Sequence, residues 1–359
     1  MKNLEQLRVQ IDQIDEELVK LLNERAKIVV DVGQIKKSDK NAPPIYAPDR
    51  ERRVLEKVKA ANKGPLPDRT LTAIYRELMS GSFYLERPLR IAYLGPEGSF
   101  SHNAAMLKFG QSVEYEPLTH IKNVFEEIDK NHCDLGIVPI ENSIAGGIIE
   151  TLDALVDSSV IICAEVVLTI HHNLLANCAQ EDINNIYSKP EVFTQCRDWL
   201  TATMPAIETV PTTSSAEAAQ IAAKTENAAA IGSTIAADLY DLKIVCENIE
   251  DIVNNTTRFL VIGREAARPS GNDKTSLIFS TAHKTGALVD VLKAFRDNDV
   301  NLTNIESRPS RKRQREYYFF VDCQGHQEEE STQKALTESR KHCLQLSVLG
   351  SYPCATEIL

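Results

Sequence analysis

No two cysteines in this sequence stand two residues apart. The eight of them, at 133, 163, 178, 196, 246, 323, 343 and 354, offer neither a zinc ribbon nor a thioredoxin-type motif and read as reduced, mostly buried thiols. His171 and His172 are the one adjacent histidine pair; neighbours on a strand point to opposite faces, so no shared metal is expected. No G-x-G-x-x-G occurs, which removes the dinucleotide fingerprint, and no cofactor is expected. No apolar run approaches the roughly 18 residues that span a bilayer. The opening MKNLEQLRVQIDQIDEEL is a charged amphipathic helix without the apolar core of a signal peptide, so the expectation is a cytoplasmic protein with no membrane association.

Cations are scarce in one place only. Residues 1–89 carry 17 Lys/Arg against 14 Asp/Glu, residues 90–265 carry 10 against 25, and residues 266–359 carry 13 against 12. These breaks argue for three domains, and an acidic middle without a basic stripe argues against nucleic acid. The run Arg311, Lys312, Arg313 and Arg315 reads as a solvated hairpin loop.

What is present falls into three patterns. In the first, Leu4, Leu7, Ile11, Ile14, Leu18, Leu21, Ile28, Val32 and Ile35 recur at steps of three and four, interrupted by Arg25. The spacing predicts a helix of about 33 residues, too long for two shorter helices to cover, so a partner chain is expected. Arg8 and Lys36 flank the stripe, and Arg50 opens the next helix after NAPPIYAP. Arg8 and Arg25 are 17 residues apart, roughly 25 Å of helix, so one small ligand meets both only if Arg8 comes from a second copy.

The pattern L-x-x-L-R-x-x-I-x-x-I-D, then E-R-A, V-G-x-x-K and D-R-E-R, resembles the all-helical chorismate mutase family. The resemblance implies that Arg8, Arg25, Lys36, Arg50, Glu51, Ser82 and Glu86 bind chorismate, with Lys36 and Glu86 flanking the ether oxygen. The reaction is a pericyclic rearrangement; cations hold the dicarboxylate in its reactive conformer and stabilise charge on that oxygen. Ala47 stands where relatives carry Asp, and Glu86 where others carry Gln. A Glu donates a hydrogen bond only when protonated, so a mutase rate that declines toward alkaline pH is expected.

The second pattern alternates strands and helices. IAYL, LGIVPI, VVLTIHHNLL, AAAIG and RFLVIG read as strands, while IKNVFEEIDK, SAEAAQIAAK and STIAADLY read as helices, which predicts a two-lobed α/β domain. Ser99 opens a helix after the turn Gly95-Pro96-Glu97-Gly98. Glu141-Asn142-Ser143 follows a strand and leads through Gly146-Gly147 into a helix whose N–H groups suit an anion. Ser188 and Gln195 come from a loop and the helix after it. In NNTTRF, Arg258 is conspicuous, since no Lys or Arg occurs between Lys130 and Lys189.

Together YLGPEGSFS, VPIENSIAGG, the S-x-P stretch with QC-x-x-WL, NIED and NTTRF resemble prephenate dehydratase, a periplasmic-binding-protein-like pair of lobes with the active site between them. The resemblance implies that Thr257 supplies the hydroxyl that helps the ring hydroxyl of prephenate leave, with Arg258 as anion clamp and Glu141, Asn142, Ser143, Ser188, Gln195, Thr256 and Phe259 around the substrate. Thr256 and Thr257 face opposite sides of a strand, so one of the two reaches the cleft. SKPE replaces the more usual Ser-His-Pro-Gln.

The third pattern, after the linker REAARPSGND, runs strand, helix, strand, strand, helix, strand, which is a ferredoxin-like sandwich. Gly286-Ala287-Leu288-Val289, Asn301-Leu302 and Glu306-Ser307-Arg308-Pro309 resemble the effector loops of the regulatory ACT domain, implying a phenylalanine pocket across a dimer interface.

In order, these three resemble the bifunctional P-protein family over nearly every residue: a mutase domain at 1–87, a dehydratase domain at 89–265 and an ACT domain at 274–355. The expected protein turns chorismate into prephenate and then phenylpyruvate under feedback by phenylalanine, as a homodimer or larger homo-oligomer. Two rivals are a non-catalytic amino-acid sensor on the same folds and a mutase fused to a dehydrogenase; the missing glycine fingerprint speaks against the latter.

Overall fold

The computed structural model describes residues 3–38, 44–309 and 317–359. The cluster Arg311 to Arg315 lies outside the described residues.

Helix α1 (Leu4–Ser38) opens with a reciprocal cap: Gln6 N–H donates to Asn3 Oδ1 at 2.8 Å and Asn3 N–H to Gln6 Oε1 at 3.2 Å. Helix α2 (Pro48–Ala61) starts on a proline, whose fixed φ suits a first turn, and α3 (Asp68–Glu86) ends just before Pro88. Only the C-terminal half of α1 meets α3, at Arg25 with Ser82 and at Lys36 with Glu86. Gly33 permits this approach, since a Cβ there would stand 3.2 Å from Glu86 Cγ. The nine apolar seam residues of α1 remain 41–66% exposed, as a helix awaiting a partner would leave them.

The dehydratase-like part contains two sheets. The first has strands β1 (Arg90–Leu94), β2 (Glu114–Leu118), β3 (Leu135–Asn142), β4 (Gly146–Gly147), β5 (Ile161–Thr169) and, much later, β11 (Thr256–Gly263), in the order β2-β1-β3-β11-β5 with β4 on β3. Helices α4 (Phe100–Phe109), α5 (Ile121–Asp129) and α6 (Ile149–Asp157) cover it. The second sheet has β6 (Asn173–Ala176), β7 (Asn185–Ser188), β8 (Glu208–Pro211), β9 (Ala228–Gly232) and β10 (Lys243–Cys246), in the order β10-β6-β9-β7-β8. Its helices are α7 (Pro190–Gln195), α8 (Arg197–Thr203), α9 (Ser215–Ala222) and α10 (Thr234–Leu239).

The run VVLTIHHNLL is therefore not one strand. It breaks at Ile170–His172, where the chain leaves the first sheet for the second, and the chain returns through residues 247–255. The two crossings bond to each other: Ile249 N–H donates to His172 O and Ile170 N–H to Asn255 O, each at 2.8 Å. Ser99 caps α4 as expected, accepting from His102 N–H.

The third part is the expected βαββαβ unit: β12 (Asp273–Ser280), α11 (Ala287–Asp297), β13 (Leu302–Pro309), β14 (Tyr317–Gln324), α12 (Glu330–Arg340) and β15 (Gln345–Pro353). The sheet order is β13-β14-β12-β15. Ile278, Phe320, Leu349 and Tyr352 join the same apolar cluster as Ile162, Leu260 and Ile262, so this sheet shares a core with the first lobe.

Candidate active sites

In the helical part, Arg25 NH1 donates to Ser82 Oγ at 2.9 Å, and the Ser82 hydroxyl donates to Leu78 O at 2.7 Å. Lys36 Nζ stands 2.9 Å from Glu86 Oε2. Both pairs line a cavity of about 790 Å³ whose wall also carries Arg50 and Glu51. Arg25, Lys36 and Arg50 are among the cations that line this cavity, an arrangement that can bind a dicarboxylate and stabilise developing charge. The Glu51 carboxylate is turned to Lys108 of α4, which donates at 3.0 and 3.1 Å. Arg8 is not in the wall; it lies exposed, four to five turns back along α1.

In the two-lobed part, β3 and β11 pair so that Asn142 stands opposite Thr257 and Glu141 opposite Arg258. Alternation then separates the expected residues into two sets. Thr257 and Asn142 lie on the side of the crossings. Asn142 Oδ1 accepts from the backbone N–H of Ile144 and Ala145, both at 3.0 Å. Backbone N–H groups only donate, so the amide is oriented without ambiguity, and its Nδ2 donates to Thr257 Oγ1 at 2.9 Å and Asn255 Oδ1 at 2.8 Å. Asn255 Nδ2 in turn donates to Gln195 Oε1 at 3.4 Å, which also meets His172 Nε2 at 2.7 Å. Thr257 is buried, and its oxygen accepts within this chain of bonds, leaving its hydrogen to donate elsewhere. Ser143 Oγ accepts from Thr256 N–H at 2.9 Å, while Thr256 itself sits on the other face of β11.

Arg258 departs from expectation. Its Nε donates to Glu165 at 2.8 Å, NH1 to Asp322 at 2.6 Å and NH2 to Tyr352 at 2.9 Å, with Glu141 3.9 Å away. All three nitrogens are taken by the first lobe and the third domain, so the anion-clamp role does not match this geometry. Burial opposes its charge, but Tyr352, Asp322 and Glu165 outweigh that and hold it protonated. Burial likewise opposes charge on Glu165, yet Arg258 and Lys274 pull its carboxyl below the ordinary range. Cations are scarce in residues 90–265, and Arg258 is matched by buried carboxylates, one of them from a distant part of the sequence.

Three further expectations shift. Phe259 is a core side chain, 1% exposed, in a cluster with Tyr93 and Val166 rather than at a substrate. The N–H groups of Ile144 and Ala145 are taken by Asn142, so this loop does not present them to an anion, and neither Asn142 nor Ser143 caps α6. Ser188 is buried at the end of β7 and donates to Ile231 O at 2.9 Å.

Around the third domain, Gly286 caps α11 with φ +82°, followed by buried Ala287, half-buried Leu288 and exposed Val289. Asn301 and Leu302 lead into the edge strand β13, where Asn301 O accepts from Gln324 N–H at 2.9 Å. Along that strand Glu306 fills the space that Gly147 leaves for want of a Cβ, and Arg308 pairs with Asp153 of α6 at 3.3 Å; Ser307 and Pro309 are exposed.

Sequence reasoning passed over His172, Glu250 and Asn255 as site residues. Glu250 Oε1 meets His171 Nδ1 at 2.7 Å and its Oε2 accepts from His172 N–H at 2.9 Å. The available signal was polar residues interrupting an apolar run, which marks a crossing between sheets. No helix among the described residues is long and apolar enough to cross a membrane.

Comparisons with known proteins match three families to successive stretches of the chain. The family models for chorismate mutase type II, prephenate dehydratase and the ACT domain match residues 7–87, 91–267 and 275–340. A bifunctional chorismate mutase/prephenate dehydratase of Aquifex aeolicus is 43% identical over 360 residues, covering 99% of each chain. A prephenate dehydratase from Arthrobacter aurescens, solved in complex with L-Phe, superposes with a TM-score of 0.69 at 30% identity, over 74% of this chain and 90% of that one. The quorum-quenching acylase GqqA superposes equally well, with a TM-score of 0.69 at 27% identity over 74% of this chain and 98% of its own. With three domains in matching order and near-complete coverage by its relatives, the chain belongs to the bifunctional chorismate mutase/prephenate dehydratase family.

Proposed function

We propose that residues 1–87 rearrange chorismate to prephenate, that residues 89–265 convert prephenate to phenylpyruvate, and that residues 274–355 bind phenylalanine and restrain the second step. The mutase site takes Arg25, Lys36, Arg50, Ser82 and Glu86 from one chain and Arg8 from a second. Arg25 and Arg50 hold the carboxylates, and Lys36 donates to the ether oxygen as its C–O bond breaks and the new C–C bond forms. Glu51, engaged by Lys108, joins the mutase wall to α4 and reaches a substrate hydroxyl only by sharing that contact. Support for the shared site is the bare seam of α1 together with the distance of Arg8 from the cavity.

In the dehydratase, Thr257 is the hydroxyl that acts. The observation that carries this is the direction of its hydrogen bond: Asn142 donates to Oγ1, so the Thr257 proton is free for the leaving oxygen. The bond from the ring to its carboxylate breaks, that electron pair enters the ring, and the ring C–O bond breaks to complete aromaticity; CO2 departs, and the hydroxide leaves hydrogen-bonded by Thr257 and takes a proton from solvent to become water. Gln195 presents a neutral donor to the substrate, while Ser143 donates to Asn254 O and holds the loop beside Thr256. Neutral donors suit an acidic domain whose one buried arginine at this strand is already paired.

For regulation, the effector loops lie on α11 and on β13, an edge strand, and a second copy would complete the phenylalanine pocket. Through Glu306 and Arg308 the same strand rests on β4 and α6, which follow the Asn142 turn.

Chorismate supplied without nucleotide tests the whole reading. Phenylpyruvate should appear in the ultraviolet, suppressed by phenylalanine; prephenate accumulating without phenylpyruvate would leave the mutase and remove the dehydratase.

A further inference from the structure

His172 takes no part in the chemistry set out above, yet it is 1% exposed and sits where the chain passes from one sheet to the other. Phe100 packs against its ring edge-to-face, 5.7 Å between centroids. Its protonation can be deduced from the hydrogen-bond chain. The N–H groups of Ile144 and Ala145 fix Asn142, Asn142 fixes Asn255 as acceptor through Oδ1, and Asn255 Nδ2 then donates to Gln195. The atom of Gln195 facing both Asn255 and His172 is therefore the carbonyl oxygen, and His172 Nε2 carries the hydrogen. Its Nδ1 is buried without a partner, so moving the proton there would lose the bond to Gln195 and strand a donor. Burial, opposed by the Gln195 bond and Glu250, lowers the pKa of the ring and keeps it neutral.

With Oε1 held from two sides, the Gln195 NH2 is directed away from both and has no hydrogen-bond partner among the described residues. We infer that His172 is a positioning residue of the dehydratase site, one that fixes the Gln195 amide so that its NH2, not its carbonyl, faces a carboxylate or hydroxyl of the substrate. This rests on the reading that Gln195 belongs to that site. Without His172 only the longer bond from Asn255, at 3.4 Å, orients the amide, and a carbonyl presented to a carboxylate repels it.

The test is a cycle in the full chain with prephenate as substrate. His172→Phe keeps the ring and its packing on Phe100 but removes the donor, whereas His172→Gln places an N–H near the position of Nε2. H172F should lower kcat/KM roughly 10- to 100-fold, as expected for a misplaced substrate-positioning group, and H172Q should recover most of it. A packing role would give the reverse order. Gln195→Leu should lower kcat/KM by itself, and adding H172F to it should cost nothing more. Mutase rates and melting temperatures near those of the parent separate these effects from misfolding; if H172F does not fold, His172→Asn, whose shorter donor cannot reach Gln195, replaces it. Unchanged turnover in H172F, equal loss in H172Q, or losses that multiply in the double variant would overturn the inference. Loss in Q195L with normal H172F sinks the inference alone, and normal Q195L sinks both it and the placement of Gln195 in the site.

Discussion

Arg258 NH1 donates to Asp322 Oδ2 at 2.6 Å, joining the strand that carries Thr257 to the central strand β14 of the ACT sheet. A residue beside the hydroxyl proposed to act is thus tied to the domain expected to sense phenylalanine. Asp322→Asn keeps the shape of this contact and removes its charge. Inhibition by phenylalanine should weaken several-fold while uninhibited dehydratase turnover stays within a few-fold of the parent. Inhibition curves that superpose would show that the pair does not transmit the signal.

The same cluster has a stability consequence. Removing one partner of a buried ion pair costs about 3–5 kcal/mol because the other charge is left unpaired. Arg258→Met should therefore lower the melting temperature of the chain by several degrees, with Asp322 left without its charged partner while Glu165 keeps Lys274. Equal melting temperatures would mean that the carboxylates find other partners.

Acid should loosen this junction too. Glu165 is held below its ordinary value, so the unfolded chain binds its proton more readily than the folded one. Its contribution is fully present above the unfolded value of about 4.3 and is lost as pH falls through the lower folded value. Melting temperatures followed from pH 7 downward should drop less in Glu165→Gln than in the parent. Parallel curves would exclude Glu165 as a source of the acid sensitivity.

Site sharing in the mutase has a direct complementation test. Arg8→Ala and Arg25→Ala should each cut the mutase rate roughly 10²- to 10³-fold, the scale for losing one charge-stabilising donor. Mixed and allowed to exchange, the two should regain activity, since a hybrid dimer holds one site with both arginines intact. No recovery after exchange would place Arg8 outside the site of its partner.

Much of this was legible in the sequence because it depends on local period and chemistry. The seam of α1 announced its length, and the strand–helix order of residues 273–353 gave the sandwich directly. The alternation of Thr256 and Thr257 was also visible, but its direction was not, since that depends on Asn142 more than a hundred residues away. Arg258 misled for the same reason: its partners Glu165, Asp322 and Tyr352 are brought together only by the packing of two domains. His171 and His172 form the bend between two sheets, although the apolar run around them has the pattern of one strand. Periodicity describes a run of residues and carries no information about where the chain leaves one sheet for another.

The most direct test of the account is the Thr257 hydroxyl. Thr257→Val preserves shape and strand propensity, and Thr257→Ser restores the hydroxyl alone. With prephenate supplied, T257V should lose roughly 10²- to 10⁴-fold in dehydratase kcat, the range for a positioned proton donor, with mutase rate unchanged and T257S recovering much of the loss. Parental turnover in T257V would contradict the assignment and return the role to Thr256 or to a group outside β11.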